Sequence, residues 1–277
     1  MCAASSPTTA GNPVTIPFTT YAEAVGRALD AIGAPAVLRR QNAILIKPNL
    51  VTIDPHPVTT PAACCAAIID YIRTCSDAAI VIAEGCGDAR RETAEIFAAL
   101  GYERLAARYG VPLIDLNHAP LVRCVDESCP VFPEMLLPEI AFSHFIVSVP
   151  VLKAHSLAAM TGSLKNMMGF VPPAHYSGRG GFWKKAVFHL RLQQSIIDLN
   201  RHRTPDLTVL DAAIGLAEQH LGGARCDPPV NRIVAGFDPL AVDREAARLL
   251  GLEWHTIGHL CPKPDGTEGE RRCRRFR

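Results

Sequence analysis

The chain alternates between short apolar runs and amphipathic segments, which is the pattern of alternating strands and helices. The apolar runs are continuous and bounded by turn residues, so they predict strands that are buried on both faces. They lie at residues 43–46, 79–83, 111–116, 145–149, 207–210 and 233–235. We therefore expect an α/β fold in which a mostly parallel sheet is flanked by helices on both faces.

The segments between these runs predict the helices and the irregular parts of the chain. Helical periodicity covers residues 21–38 with a break near Gly33, and it recurs from Pro61, over 92–100 and around 188–199. Two short β-like runs between residues 122 and 132 predict a small β insertion, such as a hairpin. Residues 169–181 are rich in glycine and proline, so we expect a lid or binding loop there.

We predict three parts along the chain: a flexible arm over residues 1–14, one α/β domain over 15–265 and a basic tail over 266–277. The tail contains five arginines, which indicates a solvated segment, with nucleic-acid contact as the alternative. The sequence does not indicate an oligomeric state.

Composition excludes several classes of function. With 28 basic and 27 acidic residues the net charge is +1, so we expect no nucleic-acid partner and any preference for anions must be local. No apolar run is long enough to span a membrane, and the N-terminus lacks the features of a secretion signal. We therefore expect a cytoplasmic protein. Ten cysteines in 277 residues is a low density, so we expect mostly free thiols.

Polar residues follow the predicted strands where ligands bind in parallel sheets, beyond the carboxyl ends. These residues are Lys47 with Asn49, Glu84, Asp115, Lys153 with His155, Asp211 and Asp238. We expect several of them to share one edge and form a polar pocket of mixed charge. The alternative is that polar residues end strands because loops are solvated.

The densest candidate chemistry lies at residues 153–169. Lys153 and His155 point to the same side of an extended strand, and a helix from about Ala158 would place Thr161 and Lys165 on one face. Such a cluster suits a carboxylate or phosphate, with His155 as general base and with a lysine whose pKa shifts on desolvation or that bonds covalently to a carbonyl compound. The alternative is a set of surface lysines around a structural histidine.

A series of motifs resembles the family called domain of unknown function 362, over about residues 42–251. These motifs are IKPNL at 46–50 with Thr59 and Thr60, AEG at 83–85, VPVLKAHS at 149–156 with Thr161, LKN at 164–166 through Gly169, LDA at 210–212 and DPLAVD at 238–243. Many members carry a ferredoxin-like cysteine segment, so the resemblance implies an iron–sulfur cluster or another metal as a candidate cofactor. This chain departs from the family there, because it has no C-x-x-C motif.

A second resemblance is to lactate racemases that use a nickel pincer cofactor. It is carried by His155 and Lys165, which lie ten residues apart around a turn that contains Gly162. The resemblance implies that Lys165 anchors a nucleotide-like cofactor and that His155 contributes to metal binding or proton transfer. His175 and His189 are further candidates.

The sequence therefore favours an enzyme, an isomerase or an oxidoreductase, that acts on a small anionic metabolite by Lys/His-assisted proton transfer or redox chemistry. The alternatives are a metal or iron–sulfur redox protein and a non-catalytic anion-binding module. The metal, if one is bound, is unknown, and Glu84 or Asp211 would orient a base or bind a cation. The candidate catalytic residues are His155, Lys165, Lys153 and Glu84, and the candidate substrate-binding residues are Lys47, Asn49, Thr161, Asn166, His175 and Asp211.

Overall fold

The computed structural model describes residues 11–178 and 184–261. The strands are β1 (Val14–Pro17), β2 (Ala43–Pro48), β3 (Ala79–Glu84), β4 (Leu113–Asp115), β5 (Leu121–Val125), β6 (Glu134–Pro138), β7 (Phe145–Val149), β8 (Val151–His155), β9 (Ala159–Thr161), β10 (Leu207–Leu216) and β11 (Arg232–Gly236). The α-helices are α1 (Tyr21–Ala31), α2 (Ala34–Leu38), α3 (Ala62–Cys75), α4 (Thr93–Ala99), α5 (Tyr102–Tyr109), α6 (Ile140–Ser143), α7 (Ser163–Asn166), α8 (Pro173–Tyr176), α9 (Leu192–His202) and α10 (Pro239–Leu249). Short 3-10 helices occupy Met167–Phe170, Ala186–Arg191, Trp254–Thr256 and Gly258–Leu260.

Nine of the described strands form one sheet, in the order β1-β11-β10-β7-β2-β3-β4, with β8 paired to β10 and β9 paired to β8. The pairs from β10 to β4 are parallel, as is β8 with β10, whereas β1, β11 and β9 join antiparallel. The predicted fold class, a mostly parallel sheet in an α/β protein, is confirmed.

The sheet is covered on both faces because its central strands are apolar on both sides. Ile44 and Ile46 belong to one core cluster, together with the buried residues of α1 and α3. Leu45, between them, belongs to the second cluster, with residues of α9 and α10. Successive side chains of a strand point to opposite faces, so this one strand contributes to both cores.

The predicted β insertion is present as a hairpin that forms its own two-stranded sheet from β5 and β6. Its second strand begins at Glu134, just beyond the predicted segment. Of the predicted arm, residues 11–14 are described, and Val14 begins β1, where it pairs with Ala235 of β11. Residues 1–10 and the predicted tail at 266–277 lie outside the described residues.

The prediction of a helix from about Ala158 is wrong. Residues Ala159–Thr161 form β9, antiparallel to β8, and the helix begins at Ser163. The reversal is stabilised by His155, whose Nδ1 accepts hydrogen bonds from the backbone N–H groups of Leu157 and Ala158, each at 3.1 Å. A side-chain acceptor thus replaces a helical turn with a tight turn.

Two further local findings concern the strand ends and the glycine- and proline-rich segment. Asp211 lies inside β10 and not at its end, because that strand continues to Leu216. The described part of residues 169–181 contains α8, which begins at Pro173, a favourable first helical position for proline. Within residues 11–178 and 184–261, no helix has the length and apolar character needed to cross a membrane.

Candidate functional site

A cleft of about 570 Å³ opens beyond the carboxyl ends of β2, β3 and β8. Among the described residues, six cationic side chains and three carboxylates line it, so its charge balance favours an anion. The cationic residues are Lys47, Arg90, Arg91, Lys165, Lys184 and Lys185, the carboxylates are Asp54, Glu84 and Asp88, and the histidines are His155, His189 and His220.

The floor of the cleft contains a buried ion pair between Lys47 at the end of β2 and Glu84 at the end of β3. Lys47 Nζ lies 2.8 Å from Glu84 Oε1, and both side chains are almost fully buried. Glu84 also accepts hydrogen bonds from the backbone N–H groups of Gly85 at 2.8 Å and Leu50 at 2.9 Å. Burial lowers the pKa of Lys47, and the charge of Glu84 opposes this shift.

Two asparagines connect this pair to a second lysine. Asn166 Oδ1 accepts from Lys47 Nζ and from Asn49 Nδ2, each at 3.2 Å. Asn49 Oδ1 accepts from Lys153 Nζ at 2.5 Å, and Lys153 also donates to the carbonyl of Val58 at 2.6 Å. Burial lowers the pKa of Lys153 to about 7, with a smaller contribution from nearby Lys165. These four predicted site residues therefore form one hydrogen-bonded network, which is buried except at the half-buried Asn49.

Gly169 allows the backbone to approach this network closely. A Cβ atom at this position would lie 2.3 Å from Glu84 Oε1 and 2.4 Å from Lys47 Nζ. Real Cβ atoms do not approach polar atoms this closely, so any larger residue would displace the ion pair. The close contact with the Lys47–Glu84 ion pair thus explains the glycine at position 169.

Lys185 is a buried cation that the sequence analysis missed. Its Nζ donates to the carbonyls of Gly85 at 2.5 Å and Met168 at 3.0 Å. Burial lowers the pKa of Lys185 to about 7. The available sequence signal was the lysine pair Lys184–Lys185 after a glycine-rich stretch, but nothing local to that pair indicates burial in the cleft.

Lys165 lies on α7 and lines the cleft. Its ammonium group forms no hydrogen bond or ion pair with any residue in the described part of the chain. The ammonium groups of Lys47, Lys153 and Lys185 each donate hydrogen bonds. Burial lowers the pKa of Lys165 to about 8. Neighbouring Thr161 Oγ1 is buried at the cleft and also lacks a hydrogen-bond partner among the described residues.

His155 stacks on His220, which the sequence analysis also missed. Their ring centroids lie 3.7 Å apart, and the ring planes differ by 11°. Because His155 Nδ1 accepts two backbone hydrogen bonds, the neutral ring carries its proton on Nε2. Burial, followed by the charge of Lys165, lowers the pKa of His155 to about 2 and that of His220 to about 4.

Three predicted site residues do not line the cleft. Lys153 lies beneath it in the buried network. His175 is exposed on α8 and is not one of the lining residues. Asp211 is buried in β10, where it accepts hydrogen bonds from the hydroxyl of Tyr21 at 2.7 Å and the backbone N–H of Ala213 at 2.9 Å.

Among the described residues, the donor atoms do not fit the metal cofactors that the resemblances imply. Within the described ranges, three ligand atoms come within 4.8 Å of one another only at Glu92, Asp115 and His118, which include no cysteine. An iron–sulfur cluster needs thiolates gathered at one place. A metal-bound histidine donates its other ring N–H to an acceptor, whereas His155 Nδ1 accepts two N–H groups. His155 in this arrangement therefore does not fit the role of a metal ligand.

Comparisons with known proteins agree with both resemblances. The family model described as Domain of unknown function (DUF362) matches residues 44–248. A similar solved structure is the lactate racemase apoprotein from Thermoanaerobacterium thermosaccharolyticum, with a TM-score of 0.52 and 11% identity over 88% of this chain and 57% of that chain. This chain thus spans little more than half the length of that protein, and the likeness is one of fold. No curated protein matches.

Proposed function

We propose that this chain, which belongs to the family Domain of unknown function (DUF362), is an enzyme. It binds a small-molecule anion in the cleft and transfers a proton with Lys165. The family description assigns no activity, so the support comes from the residues of the cleft. Cationic side chains outnumber carboxylates in the lining of the cleft, which favours a carboxylate or a phosphate as the ligand.

The observation that carries the proposal is the unpartnered ammonium group of Lys165 among the described residues. The buried lysines Lys47, Lys153 and Lys185 donate to protein oxygens, which hold them in place, whereas Lys165 is half-buried. With a pKa lowered to about 8, Lys165 is partly a neutral amine near neutral pH. The neutral amine takes a proton from the substrate, and the resulting ammonium returns one. Arg90, Arg91 and Lys184, which also line the cleft, attract the anion while Lys165 is in its neutral form.

The other residues bind the ligand or hold Lys165 in position. Thr161 offers its unpartnered hydroxyl. The sequence predicts His155 as a general base, but here it serves as a hydrogen-bond donor through Nε2, because Nδ1 is already an acceptor. The Lys47–Glu84 pair supports the floor, and Asn166 links it to the amide network. His175 and Asp211 are left out of the proposed site.

The similar solved structure supports the isomerase class over the oxidoreductase class. Its printed name is that of a racemase of lactate, a small carboxylate. That agrees with a cationic cleft and with proton transfer as the reaction type. A non-catalytic anion-binding module would use the same cleft without turnover, so an experiment has to separate binding from proton transfer.

Deuterium exchange tests the proposal without knowledge of the product. We would incubate the protein in D2O with a panel of 2-hydroxy acids, 2-oxo acids and sugar phosphates, and measure deuterium in the recovered compounds by NMR. We expect exchange with at least one compound. Lys165→Arg should retain binding by calorimetry and lose exchange by about 10²–10⁴-fold, because arginine keeps the charge but does not act as a base.

Two results would count against the proposal. If Lys165→Arg exchanged protons as fast as the wild type, Lys165 would not be the group that moves the proton. If the wild type bound an anion without any exchange, the non-catalytic binding module would replace the enzyme.

A further inference from the structure

The rim of the cleft carries two exposed leucines. Leu157 and Leu221 both line the cleft, and they are 58% and 48% exposed. Isolated surface leucines are common, but two of them at one opening form an apolar surface that a ligand can cover. Leu190 is still more exposed, at 84%, and does not line the cleft.

The two leucines lie on turns that the stacked histidines bring together. Leu157 follows His155 by two residues, and its backbone N–H donates to His155 Nδ1 at 3.1 Å. Leu221 directly follows His220, whose ring lies 3.7 Å from that of His155. The apolar rim is thus formed by two turns that are distant in sequence, which follow the paired strands β8 and β10 and are in contact through the stacked histidine rings.

The size and lining of the cleft exceed what a bare anion needs. A volume of about 570 Å³ lies within the usual range for sites that enclose whole organic ligands. Leu50, Val51 and Met168 also line it, whereas Lys165 and Thr161 supply the polar groups that lack partners in the described chain. One part of the cleft therefore suits an anionic group and another part suits hydrocarbon.

We infer that the ligand of the cleft is an amphiphilic anion, with a carboxylate or phosphate head at Lys165 and an apolar body against Leu157 and Leu221. The inference rests on the proposed anion-binding function of the same cleft and adds the class of ligand. The gain in affinity comes from the removal of hydrocarbon and leucine side chains from water.

Calorimetric titration with acetate, butyrate, hexanoate and octanoate tests the inference. We expect the affinity of the wild type to rise about two- to fourfold with each added methylene, the upper value corresponding to full burial. In Leu157→Ser/Leu221→Ser this dependence on chain length should largely disappear while acetate affinity stays the same. Leu190→Ser is the matched control and should behave as the wild type. Phosphate and octyl phosphate, titrated in parallel, show which anionic head is preferred.

The outcomes separate this inference from the proposed function. If Lys165→Met weakens anion binding but the affinity is the same for every chain length, that result would overturn the inference of an amphiphilic ligand and leave the proposed anion site intact. Failure of both head groups to bind the wild type would overturn both. Circular dichroism checks that the double variant is folded. If it is not folded, the single variant Leu157→Ser is used in its place, and we expect it to lose part of the dependence of affinity on chain length.

Discussion

The buried carboxylate of Asp243 on α10 accepts a hydrogen bond from the backbone N–H of Ser163 at 2.6 Å. It also accepts from the N–H of Leu164 at 2.9 Å, so it caps the first turn of α7, the helix that carries Lys165. Burial raises the pKa of Asp243 to about 7, and the two backbone hydrogen bonds oppose this shift. The position of the proposed proton-transfer group therefore depends on a contact across 80 residues of sequence.

The first prediction concerns the glycine beside this cap. A Cβ atom at Gly162 would lie 2.3 Å from Asp243 Oδ1, so Gly162→Ala should displace the carboxylate. We expect a loss of about 1–3 kcal/mol in the free energy of unfolding, measured by urea denaturation. Gly26→Ala is the control, because Gly26 lies inside α1 and a Cβ atom there would meet only Tyr71 Cδ2, at 3.9 Å. Alanine should stabilise that helix by about 0.5–1 kcal/mol. Equal stability of Gly162→Ala and the wild type would contradict the close contact.

The second prediction concerns the ion pair in the cleft floor. Glu84→Gln leaves the buried ammonium of Lys47 without its counter-charge, so we expect destabilisation by about 3–5 kcal/mol. The double variant Lys47→Met/Glu84→Gln should be more stable than the sum of the single changes implies. A double-mutant cycle from chemical denaturation measures this coupling. Additive single effects would show that the two side chains do not interact.

The third prediction is that anion affinity falls as pH rises through about 7 to 8. The pKa of Lys165 is lowered to about 8, and those of Lys153 and Lys185 to about 7, by burial. The protonated forms attract the anion, so binding is strongest below these values and takes up protons near them. Calorimetry from pH 6 to 9, in buffers of different ionisation enthalpy, measures both effects.

Lys165→Arg provides the control for that pH dependence. Arginine stays charged, so the decline near pH 8 should become shallower while the decline near pH 7 remains. Affinity that increases with pH would be inconsistent with anion binding by these lysines.

The fourth prediction concerns stability at acidic pH. The pKa of His155 is lowered to about 2 in the folded protein from the ordinary value of 6.5, chiefly by burial. Between these two values the unfolded chain binds more protons than the folded one, so the contribution of His155 to stability falls as pH decreases below 6.5. The comparison variant is His155→Asn, which keeps a side-chain acceptor. Relative to it, the free energy of unfolding of the wild type should fall by up to about 1.4 kcal/mol for each unit by which pH decreases.

Urea denaturation of both proteins between pH 4.5 and 7 measures this difference, and NMR follows the imidazole directly. Titration of the His155 ring near 6.5 would show that it is not buried against His220 as described.

Local sequence determined much of the architecture of this protein. The continuous apolar run in β2 and its counterparts predict buried parallel strands, because a strand covered on both faces needs apolar residues at every position. The carboxyl ends of parallel strands share one edge, so the proximity of Lys47 and Glu84 could also be anticipated. The turn after His155 could not, since a helix and a strand were both compatible with that short segment.

Only the tertiary structure decided which partner each polar group has. Lys47 pairs with Glu84 and Lys153 with Asn49, whereas Lys165 has no partner in the described chain. Lys185 and His220 reach the cleft from distant segments, and nothing near them in sequence distinguishes them from surface residues. Hydrophobic periodicity arises from neighbours along the chain and can be recognised locally. Hydrogen-bond partners and pKa shifts depend on burial and on groups far apart in sequence, which are set only when the chain packs.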